Sequence, residues 1–165
     1  MRVRAYLSMC FGDPWEGLVP LPQVISVASR MMALGCTELS LGDTIGVATS
    51  GRVAALLDGV VKAGVPIDQV AVHFHDTYGQ ALANTLEAMR HGVTIIDASA
   101  GGLGGCPYAK SATGNLATED LLWQLNGLRI DTGVDLAKLV ETSAWLARRM
   151  SRPSPSRVVR ALTGG

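Results

Sequence analysis

The sequence predicts an α/β protein in which four parallel strands alternate with helices, as in the second half of a (β/α)8 barrel. Strand-like and helical patterns alternate along the chain, and strands joined by helices run parallel through right-handed crossovers. The chain has 165 residues, whereas a complete barrel usually needs about 250. Polar residues follow the strand ends, where such sheets carry their chemistry. We therefore expect a partial barrel followed by C-terminal helices.

The first two strand–helix units follow from hydrophobic periodicity. Apolar and polar residues alternate from Val3 to Met9, which predicts a strand, and apolar residues then recur at helical spacing. Ser50 is a candidate N-cap for the second helix. The predicted elements are a strand at 3–9, a loop at 12–17, a helix at 21–34, a strand at 37–41 and a helix from 50 to 61.

The second half of the chain continues the alternation. The run from 93 to 98 is nearly all apolar, which is typical of a strand buried on both faces. We take residues 1–150 as the barrel-type domain and 151–165 as a Pro/Ser/Arg-containing tail. The predicted elements are a strand at 70–75, a helix at 80–90, a strand at 93–98, a glycine-rich loop at 100–109, and helices at 116–125 and 134–150.

The composition excludes several classes of protein. The formal net charge is zero, which argues against nucleic-acid binding through bulk positive charge. Gly, Asp or His interrupts the longest apolar runs, so we expect no membrane span. The start shows no signal or transit peptide, and we expect a bacterial-type cytoplasmic location. The three widely spaced cysteines, Cys10, Cys36 and Cys106, fit free thiols.

The segment Val70–Asp76 carries the strongest chemical signal. A strand has a side-chain period of two, so His73 and His75 share one face, while Val70, Val72 and Phe74 share the other. Two imidazoles side by side on a rigid strand suit a divalent metal ion. The alternative is one core histidine and one surface histidine. The position of the pair at a strand end favours metal ligation.

Four further residues are candidates with a structural alternative each. Asn115 offers an amide oxygen to a metal or caps the following helix. Cys106 acts as an acid or nucleophile in its glycine-rich loop, or is an inert thiol. Asp43 acts as a base or binds a substrate hydroxyl, or forms an Asx-turn. Glu119 lies at a helix start, where the helix dipole favours an acid in any case.

Four motifs of the sequence lie between positions 41 and 120. They are LGDTIGV at 41–47, HFHDTYGQALAN at 73–84, GLGGCPYA at 102–109 and TGNLATED at 113–120. These motifs resemble those of the 3-hydroxy-3-methylglutaryl-CoA lyases, and the resemblance covers nearly the whole chain. The cysteine-containing loop separates this family from sister barrels such as isopropylmalate and homocitrate synthases, which share the H-x-H strand.

The resemblance implies an activity and a set of roles. The family cleaves 3-hydroxy-3-methylglutaryl-CoA to acetoacetate and acetyl-CoA with Mg²⁺ or Mn²⁺. By resemblance, the metal ligands are His73, His75 and Asn115. The catalytic residues are Asp43, which takes or positions the hydroxyl proton, Cys106, which protonates the enolate, and Glu119, which supports the site. We place the substrate against Thr44, Gly104 and Gly105.

The resemblance also implies that part of the site lies elsewhere. The family's first half carries an Asp metal ligand and an enolate-stabilising Arg, and this chain has no matching motif. An open half-barrel leaves two sheet edges and inward apolar surface exposed. We therefore expect the chain to be incomplete alone and to pair with an N-terminal half-barrel or with itself. Another acyl-CoA lyase or aldolase activity, or a non-catalytic truncated fragment, stays open.

Overall fold

A four-stranded parallel sheet is the centre of the fold. The computed structural model describes residues 1–105 and 114–164. Its sheet strands are β1 (Arg4–Leu7), β4 (Glu38–Asp43), β5 (Val70–Phe74) and β6 (Ile95–Asp97). They lie in the order β1-β4-β5-β6 with every pair parallel, so the predicted parallel half-barrel is confirmed. A small antiparallel hairpin of β2 (Gly12–Asp13) and β3 (Gly17–Leu18) occupies the segment predicted as a loop.

Helices connect the parallel strands and then extend beyond them. They are α1 (Leu21–Ala33), α2 (Ser50–Lys62), α3 (Ala81–Arg90), α4 (Thr118–Gly127), α5 (Leu136–Arg149) and α6 (Arg157–Thr163). The predicted N-cap of α2 was wrong by one residue, because Thr49 has the extended backbone of a cap and Ser50 is already helical. None of the helices in the described part of the chain is long and apolar enough to cross a membrane.

The hydrophobic core lies between the sheet and the helices. Alternation along β4 and β5 directs every second side chain to this side, and the register pairs Leu39 with Val70 and Leu41 with Val72. These four residues are at most 2% exposed. The facing side of α2 contributes Val53, Leu56, Leu57 and Val60 to the same cluster. Burial of this apolar surface is the main source of stability for the sheet–helix unit.

The opposite, concave face of the sheet is mainly polar, which corrects the expectation of inward apolar surface. Arg4, Glu38, Ser40, His73 and Asp97 occupy alternate strand positions on this side. The strand β6 is also less buried than predicted, since all three of its residues are half-buried. As an edge strand it has a sheet neighbour on one side only among the described residues.

The segment predicted as a tail contains the helix α6. Ser156 and Val159 are buried, and the hydroxyl of Ser156 donates to Asp120 of α4 over 2.6 Å. The hydroxyl of Ser156 also accepts from the backbone N–H of Val159, which caps the helix. One side of this segment, with Ser154, Ser156 and Val159, is therefore packed against the rest of the fold, whereas residues 160–163 are exposed. This burial depends on tertiary contacts with α4, which local composition does not reveal.

We expect Leu57→Ala to reduce the free energy of unfolding by about 2–5 kcal/mol, because it removes a fully buried side chain and leaves a cavity in its place. Leu57 is 1% exposed, whereas Leu34 at the end of α1 is 81% exposed and provides the matched control. Urea denaturation of the two alanine variants measures the difference. Equal losses for Leu57→Ala and Leu34→Ala would show that the sheet–helix layer is not the core.

Candidate active site

Two histidines mark the carboxyl edge of the sheet. His73 lies near the end of β5, and His75 follows directly after it. Their ring centroids are 5.1 Å apart and the ring planes meet at 75°. His75 is 6% exposed and His73 is half-buried. The strand thus presents both imidazoles to one small volume on the concave side, as the H-x-H spacing predicts.

Burial keeps both imidazoles neutral near pH 7. Desolvation is the largest cause of the lowered pKa of His73, which the Arg4 guanidinium lowers further and the Asp97 carboxylate raises. Desolvation, together with His73 itself, lowers the pKa of His75 to about 4. A neutral imidazole has a free lone pair on one ring nitrogen. The pair is therefore in the protonation state that metal ligation requires.

Asn115 lies beside His75 through a backbone bridge that runs antiparallel to β5. The backbone N–H of Asp76 donates to Gly114 over 3.1 Å, and that of Leu116 donates to Phe74 over 3.0 Å. The side-chain nitrogen of Asn115 donates to the carbonyl of Leu103 over 2.6 Å. This bond leaves the amide oxygen as the side-chain atom that could coordinate a metal ion. The alternative of Asn115 as a helix N-cap was wrong, because α4 begins at Thr118 with Ala117 before it.

Glycines allow the backbone to close around Asn115. A Cβ atom on Gly104 would lie 2.8 Å from the Asn115 amide nitrogen, and one on Gly114 would lie 2.6 Å from the carbonyl of Gly102 and closer still to that of Gly104. Gly104 and Gly114 have positive φ values of 92° and 102°, which residues with a Cβ rarely adopt. The two chain segments therefore meet backbone to backbone.

The donor set fits a divalent metal ion. The Nδ1 atom of His75 is buried and has no hydrogen-bond partner among residues 1–105 and 114–164, and such a buried polar atom is costly unless something binds it. With His73 and the amide oxygen of Asn115 it makes a set of two nitrogen donors and one oxygen donor. In the same part of the chain, no group of three His, Cys, Asp or Glu side chains is placed to hold a metal ion. A carboxylate ligand is thus missing from the described residues.

Asp43 and Thr44 brace the loop after β4. The two carboxylate oxygens of Asp43 accept the backbone N–H groups of Val47 and Ala48 over 2.9 and 3.0 Å. Asp43 shares the helix-facing side of its strand with Leu41, and it is 1% exposed. The Thr44 hydroxyl accepts from the backbone N–H of Met9 over 2.8 Å. Both side chains are therefore engaged with backbone groups.

Glu119 reaches the glycine-rich segment from the first turn of α4. It is fully buried, and its two carboxylate oxygens lie 3.0 and 2.9 Å from the backbone nitrogen of Gly101. The Ser143 hydroxyl of α5 also donates to it. Charge-assisted hydrogen bonds of this kind are strong when buried. Glu119 thus connects α4 and α5 to the segment that leads to Gly104.

The remaining candidates divide between exposed residues and residues outside the described ranges. Gly104 and Gly105 are exposed at the end of the glycine-rich segment. Gly104 also contacts the side chain of Asn115. Cys106 lies outside the described residues. Its predicted role stays a prediction.

Sequence reasoning missed two polar groups near the site. Arg4 and Ser40 both donate to the Asp97 carboxylate, over 2.6 and 2.9 Å. Arg157, predicted to be part of a solvated tail, donates to Asp76 over 2.9 Å. The first group had a usable signal, since Arg4, Ser40 and Asp97 are polar residues within three of the predicted strands. The second had none, because Arg157 and Asp76 are 81 positions apart.

A four-stranded parallel sheet with a histidine pair and an asparagine at its carboxyl edge is the arrangement of half a (β/α)8 barrel. The chain belongs to the HMGL-like family, whose model matches residues 4–146. The chain is 52% identical over 161 residues to the mitochondrial hydroxymethylglutaryl-CoA lyase of Mus musculus. That alignment covers 98% of this chain and 49% of the relative.

Solved structures agree with the family assignment. The hydroxymethylglutaryl-CoA lyase of Pseudomonas aeruginosa superposes with a TM-score of 0.93 at 48% identity, over 99% of this chain and 54% of that one. An HMG-CoA lyase of Acinetobacter baumannii in complex with coenzyme A and 3-methylmalate gives 0.90 at 34% identity, over 96% and 52%. The chain therefore spans about half the length of the relatives it matches.

We expect Gly114→Ala to reduce the free energy of unfolding by about 1–3 kcal/mol. Alanine disfavours the left-handed backbone at this position, and its Cβ would clash with two carbonyls. Gly127→Ala is the matched control, since Gly127 ends α4 with open space around it. That change should be neutral or stabilising by up to about 1 kcal/mol. Thermal unfolding compares the two, and similar behaviour of both variants would contradict the close approach at Asn115.

We expect the ionisation of Asp43 to reduce the free energy of unfolding as pH rises from about 4 to about 6. Burial is the main reason that the pKa of Asp43 is raised from 3.8 to about 6, so ionisation opposes folding in that window. The contribution is at most about 3 kcal/mol. Asp43→Asn should remove this slope in urea denaturation series across the window.

Asp135→Asn serves as a control of opposite sign. The backbone N–H of Lys138 lowers the pKa of the exposed Asp135 carboxylate, which caps α5. Its contribution to stability is present above pH 4 and lost as pH falls. If the free energy of unfolding depends on pH equally in the wild type and in Asp43→Asn, the pKa of Asp43 is not raised in the folded chain.

Proposed function

We propose that this chain supplies the metal-holding half of a lyase that cleaves 3-hydroxy-3-methylglutaryl-CoA to acetoacetate and acetyl-CoA. The observation that carries the proposal is the group formed by His73, His75 and Asn115 at the carboxyl edge of the sheet. The chain shares about half of its residues with hydroxymethylglutaryl-CoA lyases over nearly its whole length. The reaction class is therefore carbon–carbon bond cleavage of an acyl-CoA.

Mg²⁺ or Mn²⁺ is the proposed metal, with His73, His75 and the Asn115 amide oxygen as its ligands from this chain. When bound, such an ion acidifies a coordinated hydroxyl and holds the neighbouring oxygen atoms of the substrate. Mixed nitrogen and oxygen ligands shift the preference from Mg²⁺ towards Mn²⁺. The neutral imidazoles offer their lone pairs without first losing a proton.

The reaction breaks the bond between C2 and C3 of the substrate. The hydroxyl on C3 gives its proton to a solvent water molecule as C3 becomes the ketone carbon of acetoacetate. The electron pair of the broken bond passes to C2 and forms the enolate of acetyl-CoA, which then takes up a proton. We assign that protonation to Cys106, since a thiol on a glycine-rich loop can approach the reacting carbon.

Asp43 and Glu119 act in this proposal as positioning residues. The hydrogen bonds of Asp43 to Val47 and Ala48 hold the loop after β4, so we favour a role through that loop over direct proton transfer. Glu119 holds Gly101, and through it the segment that contacts Asn115. We propose that Gly104, Gly105 and Thr44 border the acyl-CoA at the mouth of the site.

The partner that completes the site is proposed to be an N-terminal half-barrel. Within the described ranges, β1 has a sheet neighbour only in β4 and β6 only in β5, so the outer edge of each strand is open. A complementary half would pair with both edges, close the barrel and add a carboxylate ligand. A second copy of this chain is the alternative occupant of the same edges.

The test is acetoacetate formation from 3-hydroxy-3-methylglutaryl-CoA with Mn²⁺ or Mg²⁺. The chain is assayed alone and with the separately produced N-terminal half of the Pseudomonas aeruginosa enzyme. We expect activity only in the mixture. His73→Ala should reduce it on the order of 100-fold or more, since loss of a ligand exceeds the 10–100-fold typical of outer-shell changes. Mn²⁺ binding followed by electron paramagnetic resonance should fall in parallel.

His91→Ala is the matched control, because His91 lies at the end of α3 and contacts Glu87 and Asp58 away from the site. It should leave activity and Mn²⁺ binding unchanged. Activity that survives His73→Ala would overturn the metal assignment. Mn²⁺ binding without cleavage in the mixture would favour the non-catalytic fragment. Faster cleavage of a different acyl-CoA would favour another lyase or aldolase of the family.

A further inference from the structure

An ion-pair network connects the two edge strands across the concave face. The Arg4 guanidinium of β1 donates to the Asp97 carboxylate of β6 over 2.6 Å, and its Nε lies 2.8 Å from the Glu38 carboxylate of β4. The Ser40 hydroxyl of β4 donates to the same oxygen of Asp97 over 2.9 Å. The side chains of Arg4, Glu38 and Asp97 are at most 28% exposed, and Ser40 is buried. The Arg4–Asp97 network therefore lies on the inner side of the sheet.

This contact requires a curved sheet. Strands β1 and β6 are separated by β4 and β5, so their axes would lie about 14 Å apart in a flat sheet with a spacing of about 4.8 Å. Curvature and strand tilt, as in a barrel, bring the two inner side chains together. The network thus joins positions that are 93 residues apart in the chain.

Asp97 also adjoins the proposed metal ligand His73. The register pairs His73 with Asp97 directly across β5 and β6. Both side chains lie on the inner face of the sheet, so the Asp97 carboxylate is the neighbour of the His73 imidazole on the next strand. The carboxylate that Arg4 and Ser40 hold is therefore placed beside the His73 ring.

We propose that Asp97 is a positioning residue for His73: Arg4 and Ser40 hold its carboxylate beside the imidazole, where it favours the tautomer with an N–H towards Asp97 and leaves the opposite ring nitrogen as the ligand. Outer-shell acceptors of this kind set the tautomer and orientation of metal-binding histidines. The inference rests on the proposed function only in naming His73 a metal ligand. The ring orientation itself belongs to the metal-free chain.

Two readouts test the proposal on the 165-residue chain. Long-range ¹H–¹⁵N NMR of the metal-free chain reports the tautomer of His73, and the chain has only three histidines to assign. We expect one dominant tautomer in the wild type and a mixture in Asp97→Asn. Co²⁺ titration followed by its visible absorption should show affinity lowered about 10–100-fold in that variant.

Arg4→Met tests whether the ion pair acts through Asp97. The two groups form one unit, so Arg4→Met combined with Asp97→Asn should weaken Co²⁺ binding no more than the stronger single change. Ser40→Ala removes one hydrogen bond and provides a milder variant if Asp97→Asn fails to fold; it should shift the tautomer ratio in the same direction. Asp58→Asn is the matched control, since its carboxylate is 75% exposed on α2, and it should change neither readout.

The outcomes separate this inference from the proposed function. An unchanged His73 tautomer and an unchanged Co²⁺ affinity in Asp97→Asn and Ser40→Ala would overturn the positioning role. Multiplying effects of Arg4→Met and Asp97→Asn would also count against it. A tautomer that depends on Asp97 in a chain that binds no Co²⁺ would support the positioning role and contradict the metal site.

Discussion

The site depends on the backbone hydrogen bonds that place residues 114–118 between the ends of two strands. Leu116 donates to Phe74 at the end of β5 and accepts from Ser99 beyond β6, and Thr118 in turn donates to Ser99. These bonds continue the sheet past its last regular residues. They bring Asn115 beside His75, and the burial of Leu116 in the core holds the same segment in place. Every other feature of the site is arranged around this short extended segment.

The two faces of the sheet have different physical roles. The outer face buries aliphatic side chains against α1–α3 and supplies stability, whereas the inner face carries ion pairs, a hydroxyl and two imidazoles. Half-buried charges are tolerated there because each has a partner close by. Changes on one face are thus expected to affect folding, and changes on the other to affect ligand geometry.

Local pattern was sufficient for the parallel sheet and for the shared face of His73 and His75. Both follow from periodicity, which is a property of neighbouring residues. The contacts that could not be predicted join distant parts of the chain: Arg4 with Asp97, Asp76 with Arg157, and Asp120 with Ser156. Asp43 illustrates a further limit. The Asx-turn alternative predicted that nearby backbone amides would occupy its carboxylate, but these amides belong to Val47 and Ala48, four and five residues along the chain, beyond the reach of an Asx-turn.

The location of the core on the helix side of the sheet has a consequence for how a longer chain would fold. The buried apolar cluster is built from the strands and helices of this unit, and the inner face of the sheet is mainly polar and edged by open strands. Such a unit can form early as a separate cooperative foldon. Docking of the other half would then be a later step, guided by charge and strand pairing and therefore sensitive to ionic strength.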